Sequence, residues 1–418
     1  MKKIFVIAAI LLSLVQAWPA HAKVTGNLSA SFFELKDDSS AYKYNYWDTR
    51  VKLTASEFMG ENKFINLDAR TRGTGESDLN ENIPETRIRD ANLEIQKGFW
   101  NTDLVLGRHY VADVPGAGID GVSLKHYTGE LSGFGMFGGT QPDPHIDRLS
   151  SEFVTYGLFG FKREKKYGIS GGYASSIYNG KEDSSFMFTN YDWRINDKLN
   201  VYASGRGDHN VLDGGFDLTH LLATVGYRIG RVARLGFTYY QYRAVQLYES
   251  MDYDINRELQ KSYRVNGTLN ISRGTNLYAR YDHRTRESDN KSAEMYTLGL
   301  RKSGLFRYLF FDFSYNDINY FTSQSNTYRT SLGADISTNI SAEVNATVME
   351  NSQDKASNKL RQTMYGGSLN WYKGKSFYGS VSYEISEEKY LDVDSVFIAQ
   401  ADNEWRSSSV FALIGYRF

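Results

Sequence analysis

The sequence of 418 residues contains no cysteine and only 5 prolines. The lack of cysteine excludes a disulfide framework, a thiolate metal site, a c-type haem attachment site and a lipoprotein anchor. The formal net charge is only -1, which gives no electrostatic basis for binding nucleic acid. No long apolar run follows the N-terminal region, so a bundle of transmembrane helices is excluded.

The N-terminus has the pattern of an export signal. Lys2 and Lys3 precede an apolar stretch of about twelve residues, too short to span a bilayer as a helix. The small-x-small site Ala20-His21-Ala22 follows. This pattern predicts a secretory signal peptide over residues 1–22, and residues 23–418 then form the mature protein. An uncleaved N-terminal anchor is the alternative.

The rest of the chain is rich in aromatic residues and alternates between apolar and polar residues. Phe, Trp and Tyr make up 15% of the residues, too many for a disordered chain. From residue 23 onward, apolar and polar residues alternate. In one such run Ile65 and Leu67 share one side of the chain, while Asn66 and Asp68 share the other. A period of two with one apolar face predicts half-buried antiparallel strands.

The length of these runs separates a membrane barrel from a soluble β-domain. Strands of soluble domains are mostly five or six residues long, whereas these runs extend over roughly nine to twelve residues, typical of membrane-spanning strands. Short turns and longer polar loops separate the runs alternately. We therefore predict an all-β chain: a transmembrane antiparallel up-and-down β-barrel of about 22 strands, within a range of 18–22. We expect the apolar face to point outward and both termini to lie on the periplasmic side.

The C-terminus carries the most specific local signal. The last strand ends in Tyr416 and Phe418, which share one face with Val410, Ala412 and Ile414. This ending resembles the C-terminal β-signal of Gram-negative outer-membrane barrels, including porins. The resemblance implies export to the outer membrane, insertion by its barrel assembly machinery through Tyr416 and Phe418, and contact with membrane lipid and lipopolysaccharide.

A plug domain is not expected. Barrels of 22 strands that serve as active transporters are plugged, and such a plug needs its own N-terminal segment. Here the first predicted strand begins at Val24, almost at the predicted cleavage site. We expect the lumen to be open water, narrowed by loops, or filled by another protein.

One loop is a candidate constriction of the lumen. Its candidate residues contain the glycines, the proline and the Asp-Gly step that permit tight bends: Pro115, Gly116, Gly118, Asp120 and Gly121. The Gly107-Arg108 and Asp120-Gly121 steps of this region resemble a hairpin of outer-membrane porin-like channels. Arg108 has the parity of the outward Leu104 and Leu106, so it either lies at the membrane interface or turns inward at a bulge at Gly107.

The inward face supplies the candidate pore-lining residues. Opposite charges on neighbouring strands can pair across the wall, and such charges can screen solutes; a merely solvated polar lining is the alternative. The predicted pore-lining residues are Asp68, Arg70, Arg72, Asp90, Glu94, Arg108, Arg280, Asp282, Arg329, Asp335, Glu343 and Glu384.

The sequence contains no motif that indicates catalysis or metal binding. Adjacent residues of a strand point to opposite faces, so neither Asp208-His209 nor Asp282-His283 forms an acid–base couple by itself. The histidines also lack the spacing of metal ligands. We expect neither an enzyme nor a resident cofactor or metal.

Two functions remain. The first is a passive channel for small hydrophilic solutes or ions. The second is a barrel sleeve around a multihaem c-type cytochrome, as in porin–cytochrome conduits. The absence of Cys-x-x-Cys-His means that haem would have to come from such a partner.

Overall fold

The structure is a computed structural model. The residues it describes are 22–38, 43–58, 60–74, 86–142, 152–211, 214–245, 247–249, 257–353, 359–391 and 404–418. The predicted signal peptide, apart from residue 22, lies outside the described residues. Most of residues 73–85, 246–260 and 388–403, three of the longer polar stretches between the alternating runs, lies outside them as well.

The described chain forms one 22-stranded antiparallel sheet. The strands are β1 Lys23–Asp37, β2 Lys43–Ser56, β3 Lys63–Thr74, β4 Thr86–Ile95, β5 Thr102–Tyr110, β6 Gly118–Gly129, β7 Ser132–Thr140, β8 Phe153–Arg163, β9 Tyr167–Tyr178, β10 Lys181–Arg194, β11 Leu199–His209, β12 Phe216–Ile229, β13 Ala233–Tyr242, β14 Gln260–Ser272, β15 Thr275–Arg286, β16 Ser292–Leu305, β17 Leu309–Tyr320, β18 Ser323–Ser337, β19 Ile340–Gln353, β20 Lys359–Lys373, β21 Phe377–Leu391 and β22 Glu404–Arg417. A single 3₁₀ turn, Phe99–Asn101, precedes β5. No helix among these residues is long and apolar enough to span a bilayer.

The first and last strands close the sheet into a barrel. β1 pairs with β22 from Asn27 opposite Arg417 to Asp37 opposite Ser407. The backbone of Phe418 extends this seam, because its N–H donates to the Gly26 carbonyl at 3.2 Å and its carbonyl accepts from the Gly26 N–H at 2.9 Å. The predicted all-β barrel of about 22 strands is confirmed. Closure removes the unpaired edges that an open sheet would expose.

Glycine at a left-handed backbone position makes several of the short turns. Gly230 joins β12 to β13 with φ 57°, and Gly274 joins β14 to β15 with φ 76°. Residues with a Cβ rarely adopt this region. A glycine at these turns therefore lets each strand reverse within a few residues and sets the register of the hairpin.

Side chains alternate between the two faces of the wall, as the sequence predicts. One face carries large exposed apolar side chains around the ring, where lipid would contact them. Examples are Leu28, Leu106, Met136, Leu158, Met187, Phe237, Val265, Leu298, Leu332, Val344, Leu369 and Ile414. The opposite face carries most of the charged side chains. We call these the outer and inner faces.

The ladder between β3 and β4 contains one irregularity that affects the site. Its register shifts between Asp68 and Ala69, which pair with Asp90 and Ile88. Arg89 is therefore an extra residue on β4, as in a β-bulge. Bulges bend a strand and increase its local twist.

Candidate functional site

A short segment between β5 and β6 packs against the inner face of the barrel. We call residues 111–117 the inner segment. Val111 donates its N–H to the Ala117 carbonyl at 2.9 Å, which closes the segment. Val111, Val114 and Ala117 are buried in one apolar cluster with aromatic residues of the wall. The members of the cluster that belong to the wall are Ile119, Phe137, Phe159, Phe161, Ala174, Phe186 and Phe188.

An ion pair fixes the same segment to the wall. Asp113 is buried in the segment and accepts a hydrogen bond from Lys125 of β6 at 2.6 Å. Arg163 of β8 lies 3.5 Å from the other carboxylate oxygen. The Lys125 ammonium also lies 4.2 Å from the ring centroid of Phe161, a cation–π geometry. Apolar packing and paired charge together hold the segment inside the lumen.

The residues predicted to form a constriction divide between two places. Pro115 and Gly116 lie in the inner segment, and Gly116 has φ 74°. Gly118, Asp120 and Gly121 belong to β6 instead, because the Val111–Ala117 bond returns the chain to the wall at Gly118. The turning segment is thus shorter than the sequence suggests. Sequence reasoning also missed Asp113, because no local pattern indicates that Lys125, twelve residues further along the chain, pairs with it.

Pro115 borders a cavity of about 620 Å³ in the lumen. The other side of this cavity is the inner wall of β10–β13 and the chain that follows β13. Its polar lining consists of Asn190, Tyr202, Ser204, Arg206, Thr219, His220, Tyr242 and Arg243. The cavity therefore presents cationic, hydroxyl and aromatic groups to a solute that passes the inner segment.

The chain after β13 folds over this cavity. Tyr248 donates its N–H to the Asp183 carbonyl at 3.4 Å, and the Glu249 N–H donates to the Asp183 carboxylate at 2.9 Å. Lys181 donates to the Tyr248 hydroxyl at 2.7 Å. These bonds join the β13–β14 connection to the β9–β10 hairpin, two connections far apart in sequence. No motif of the sequence indicates this contact.

Arginines of β14 and β15 surround one carboxylate on the inner wall. Asp282 is buried and accepts hydrogen bonds from Arg264 at 2.8 Å and Arg280 at 2.9 Å. Arg284 donates to the same carboxylate at 3.4 Å, and Ser262 donates at 2.6 Å. Three guanidinium groups surround one carboxylate, so the cluster carries an excess of two positive charges. Arg280 and Asp282 were predicted on this face, whereas Arg264 and Arg284 were missed.

A second group of charges crosses β2 and β3. Arg50 donates to Asp68 at 2.8 Å. Arg70 and Arg72 both donate to Asp48, at 3.0 and 2.9 Å. The predicted residues Asp68, Arg70 and Arg72 therefore lie on one inner face, and each is held in an ion pair with the neighbouring strand.

The other predicted pore-lining residues follow the same parity. Asp90 accepts a hydrogen bond from Asn92, and Glu94 accepts one from Asn66 at 3.3 Å. On the far side of the ring, the remaining inner residues stand opposite small or polar neighbours. These are Arg329 opposite Ser314 and Thr347, Asp335 opposite Ser341, Glu343 opposite Gly333 and Ser368, and Glu384 opposite Gly366 and Ser409.

Arg108 differs from the prediction that it lines the pore. The β5–β6 ladder has no register shift, so Arg108 and its partner Asp120 keep the parity of the outer Leu106 and Val122. Arg108 donates to both carboxylate oxygens of Asp120 at 2.6 Å. The positive φ of 110° at Gly107 does not turn the strand over. Of the two alternatives for Arg108, the structure matches the one in which it stays on the outer side.

The histidines and acidic residues do not form a metal site in the part of the chain that the structure describes. His109 is buried between the Gly107 carbonyl at 3.0 Å and the Ser123 hydroxyl at 2.9 Å. Asp208 pairs with Arg206 at 2.6 Å, while the neighbouring His209 contacts Glu182. The two residues of the Asp208-His209 step thus have separate partners.

A fixed charge lies at the loop end of β15. Arg286 forms a hydrogen-bonded ion pair with Asp289 in the connection to β16. This hydrogen bond lowers the pKa of Asp289 to about 2. Asp289 therefore stays ionised throughout the neutral range.

The C-terminal aromatic residues lie at the closing seam. The ring of Tyr416 lies between those of Phe377 and Phe418, with centroids at 4.6 and 5.9 Å. A Cβ at Gly26 would contact the Phe418 ring. The glycine thus provides the space that the terminal aromatic ring occupies beside β1.

Comparison with known proteins identifies the fold. No family model matches the chain, and no curated protein matches its sequence. A BenF-like porin from Pseudomonas fluorescens Pf-5 is similar in structure, with a TM-score of 0.51 at 8% identity, covering 96% of this chain and 100% of that chain. Acinetobacter baumannii OccAB4 gives a TM-score of 0.46 at 11% identity, with 95% and 98% covered. Pseudomonas aeruginosa OpdK, solved with vanillate, gives 0.46 at 8% identity, with 95% and 99% covered. At these identities the likeness concerns the fold, which is that of an outer-membrane β-barrel.

Proposed function

We propose that this barrel is a passive outer-membrane channel for small hydrophilic solutes. The observation that carries the proposal is the inner segment, which packs on one side of the lumen and leaves a cavity between Pro115 and the wall of β10–β13. A closed barrel of this size without an inner segment would be a wide aqueous hole. A segment fixed inside it narrows the path and places solutes beside defined side chains.

We propose further that the channel prefers anions. Arg206 and Arg243 line the cavity, and the Asp282 cluster on β14–β15 carries an excess of positive charge. Charges act across about one Debye length, roughly 8–10 Å at physiological salt. Their field therefore matters where the inner segment brings a solute close to the wall.

The sleeve around a multihaem cytochrome has less support. The inner face of β6–β10 is already covered by the inner segment, in a region that an enclosed protein would need to occupy. The Phe418 seam supports the accompanying proposal that the barrel assembly machinery inserts this chain. Deletion of Phe418 should then lower the amount of folded barrel in the membrane fraction.

Conductance across planar lipid bilayers tests the channel. The purified full-length barrel should give discrete conductance steps and an anion-selective reversal potential in a gradient of KCl. A variant in which Asn-Gly replaces residues 112–116 should conduct severalfold more per step, because the two-residue turn cannot reach across the lumen.

Two results would contradict the proposal. An absence of steps from folded barrel would remove the channel function. A native complex that stains for haem after purification from the membrane would instead support the sleeve. Heat-modifiable mobility on electrophoresis serves as the check that each variant has folded.

A further inference from the structure

The shortest ladder between described strands of the wall joins β4 and β5. These strands pair only along residues 91–95 of β4, although β4 continues to Thr86 and pairs with β3 up to that residue. The ladder therefore ends at Ala91 and Arg108, while β5 continues to Tyr110. In hydrocarbon, backbone groups beyond the end of a ladder are satisfied by side chains or other protein groups.

Side chains join the two strands beyond the end of this ladder. The Arg108 guanidinium donates from Nη1 to the Ile88 carbonyl at 2.7 Å while it holds Asp120 with Nε and Nη2. Asn92 donates its side-chain N–H to the Arg108 carbonyl at 3.3 Å. The side chains of Arg108 and Asp120 are only 11% and 13% exposed. The seam is therefore closed by a side-chain ion pair, with the extra residue Arg89 beside it.

A cavity of about 230 Å³ lies at this seam; we call it the seam pocket. Ile88 and Tyr110 come from the outer face, His109 and Ile119 from the inner face, and Gly116 from the inner segment. Residues of both faces of the wall and of the inner segment thus line one pocket. Arg89 is exposed and lines the same pocket.

An apolar depression on the outer face leads to the seam pocket. This outer groove has a volume of about 390 Å³ and runs over β1–β4 and the ends of β21 and β22. Its floor is made of small side chains, among them Ala30, Thr49 and Ala69, and Leu28 also lines it. Ile88 lines both the groove and the seam pocket. An apolar groove therefore meets a pocket that Arg89 and Arg108 line.

We propose that the β4–β5 seam binds a single-chain amphiphile with a carboxylate head group. The acyl chain lies in the outer groove, and the carboxylate lies in the seam pocket beside Arg89. Guanidinium groups bind carboxylates through charge-assisted and often paired hydrogen bonds, and Arg108 is already engaged by Asp120. This site lies in the barrel wall and is separate from the lumen cavity at Pro115.

Photolabelling of the full-length barrel tests the site. The barrel is reconstituted in phosphatidylcholine vesicles and exposed to a palmitic acid analogue with a diazirine on its chain, and labelled peptides are mapped by mass spectrometry. Label should concentrate on peptides that contain Ile88 and the groove strands β1–β3. Ile88→Trp, which fills the junction of groove and pocket, and Arg89→Glu should each lose most of that label.

Two controls test whether labelling at the seam depends on Arg89 and on the carboxylate. Arg228→Glu changes an exposed arginine on β12 and should leave labelling at the seam unchanged. The corresponding diazirine alcohol should label the seam weakly. If Arg89→Glu does not fold, Arg89→Gln replaces it.

Three results would overturn the proposal: label spread evenly around the outer belt, equal labelling by a diazirine phosphatidylcholine, or labelling of the seam unchanged in both Arg89 variants. The readout does not depend on conductance, so it stands apart from the test of the channel.

Discussion

The inner faces of two parts of the barrel differ, although the same alternation generates both. Every member of the buried apolar cluster lies between Val111 and Phe188, on β6–β10 and the inner segment. At the equivalent positions of β17–β21 the inner face carries Ser314, Ser331 and Ser368. Fully buried apolar residues on an inner face thus mark the stretch of wall that another segment covers. Small polar residues mark wall that is suited to water.

The charged residues of the inner face also differ between two parts of the barrel. On β14–β15 three arginines contact the single carboxylate of Asp282. On β19–β21 the predicted inner charges are Glu343 and Glu384. The two walls would therefore impose a transverse field on the lumen between them, and each of the following changes tests one side of this comparison.

Phe159→Ala should have the largest effect on stability. Phe159 is 3% exposed and packs in the cluster that holds the inner segment, and removal of a buried phenylalanine costs about 3–5 kcal/mol. The released segment should also increase the noise of the open channel. Phe310→Ala on the inner face of β17, where the ring is only half-buried, is the matched control.

Unfolding in urea, followed by tryptophan fluorescence in lipid vesicles, measures both variants. Equal losses of stability for Phe159→Ala and Phe310→Ala would remove the distinction between a covered and an uncovered inner face.

Reversal of charge in the basic wall should have an intermediate effect. Arg264→Glu together with Arg284→Glu places two extra negative charges beside Asp282, so the reversal potential should shift toward cations at low salt. Arg70→Glu with Arg72→Glu should shift it in the same direction. At 1 M salt the screening length falls to about 3 Å, and both shifts should fade.

The opposite wall provides the comparison for that experiment. Glu343→Gln should shift the reversal potential toward anions, and by less, because no described segment brings solutes close to β19. Equal shifts from both walls would mean that the inner segment does not direct solutes toward the basic side.

Arg361→Ala should have the smallest effect. Its ion pair with Glu350 joins β20 to β19, and both side chains are more than two-fifths exposed, at 48% and 41%. Exposed ion pairs contribute about 0.2–1 kcal/mol or less. Urea unfolding and conductance should both stay close to those of the unchanged protein; a loss comparable to that of Phe159→Ala would contradict the division into covered and uncovered wall.

The sequence determines the strands, their parity and their number, because these depend on local properties. Three features can be recognised in the sequence itself: an alternation of period two, turn glycines such as Gly230 and Gly274, and run lengths suited to a bilayer. The same parity places Asp68, Arg70 and Arg280 on the inner face without knowledge of their partners.

Only the tertiary structure decides which of these residues meet. Tyr248 reaches Asp183 across three strands, and the inner segment finds Phe159 and Phe161, because closure of the barrel fixes which inner faces oppose each other. The register of each ladder decides the rest: Arg108 stays on the outer side because β5 and β6 pair without a shift, and Arg89 becomes an extra residue because β3 and β4 do shift. Register is the sum of many pairings along two strands, and no single residue in the sequence specifies it.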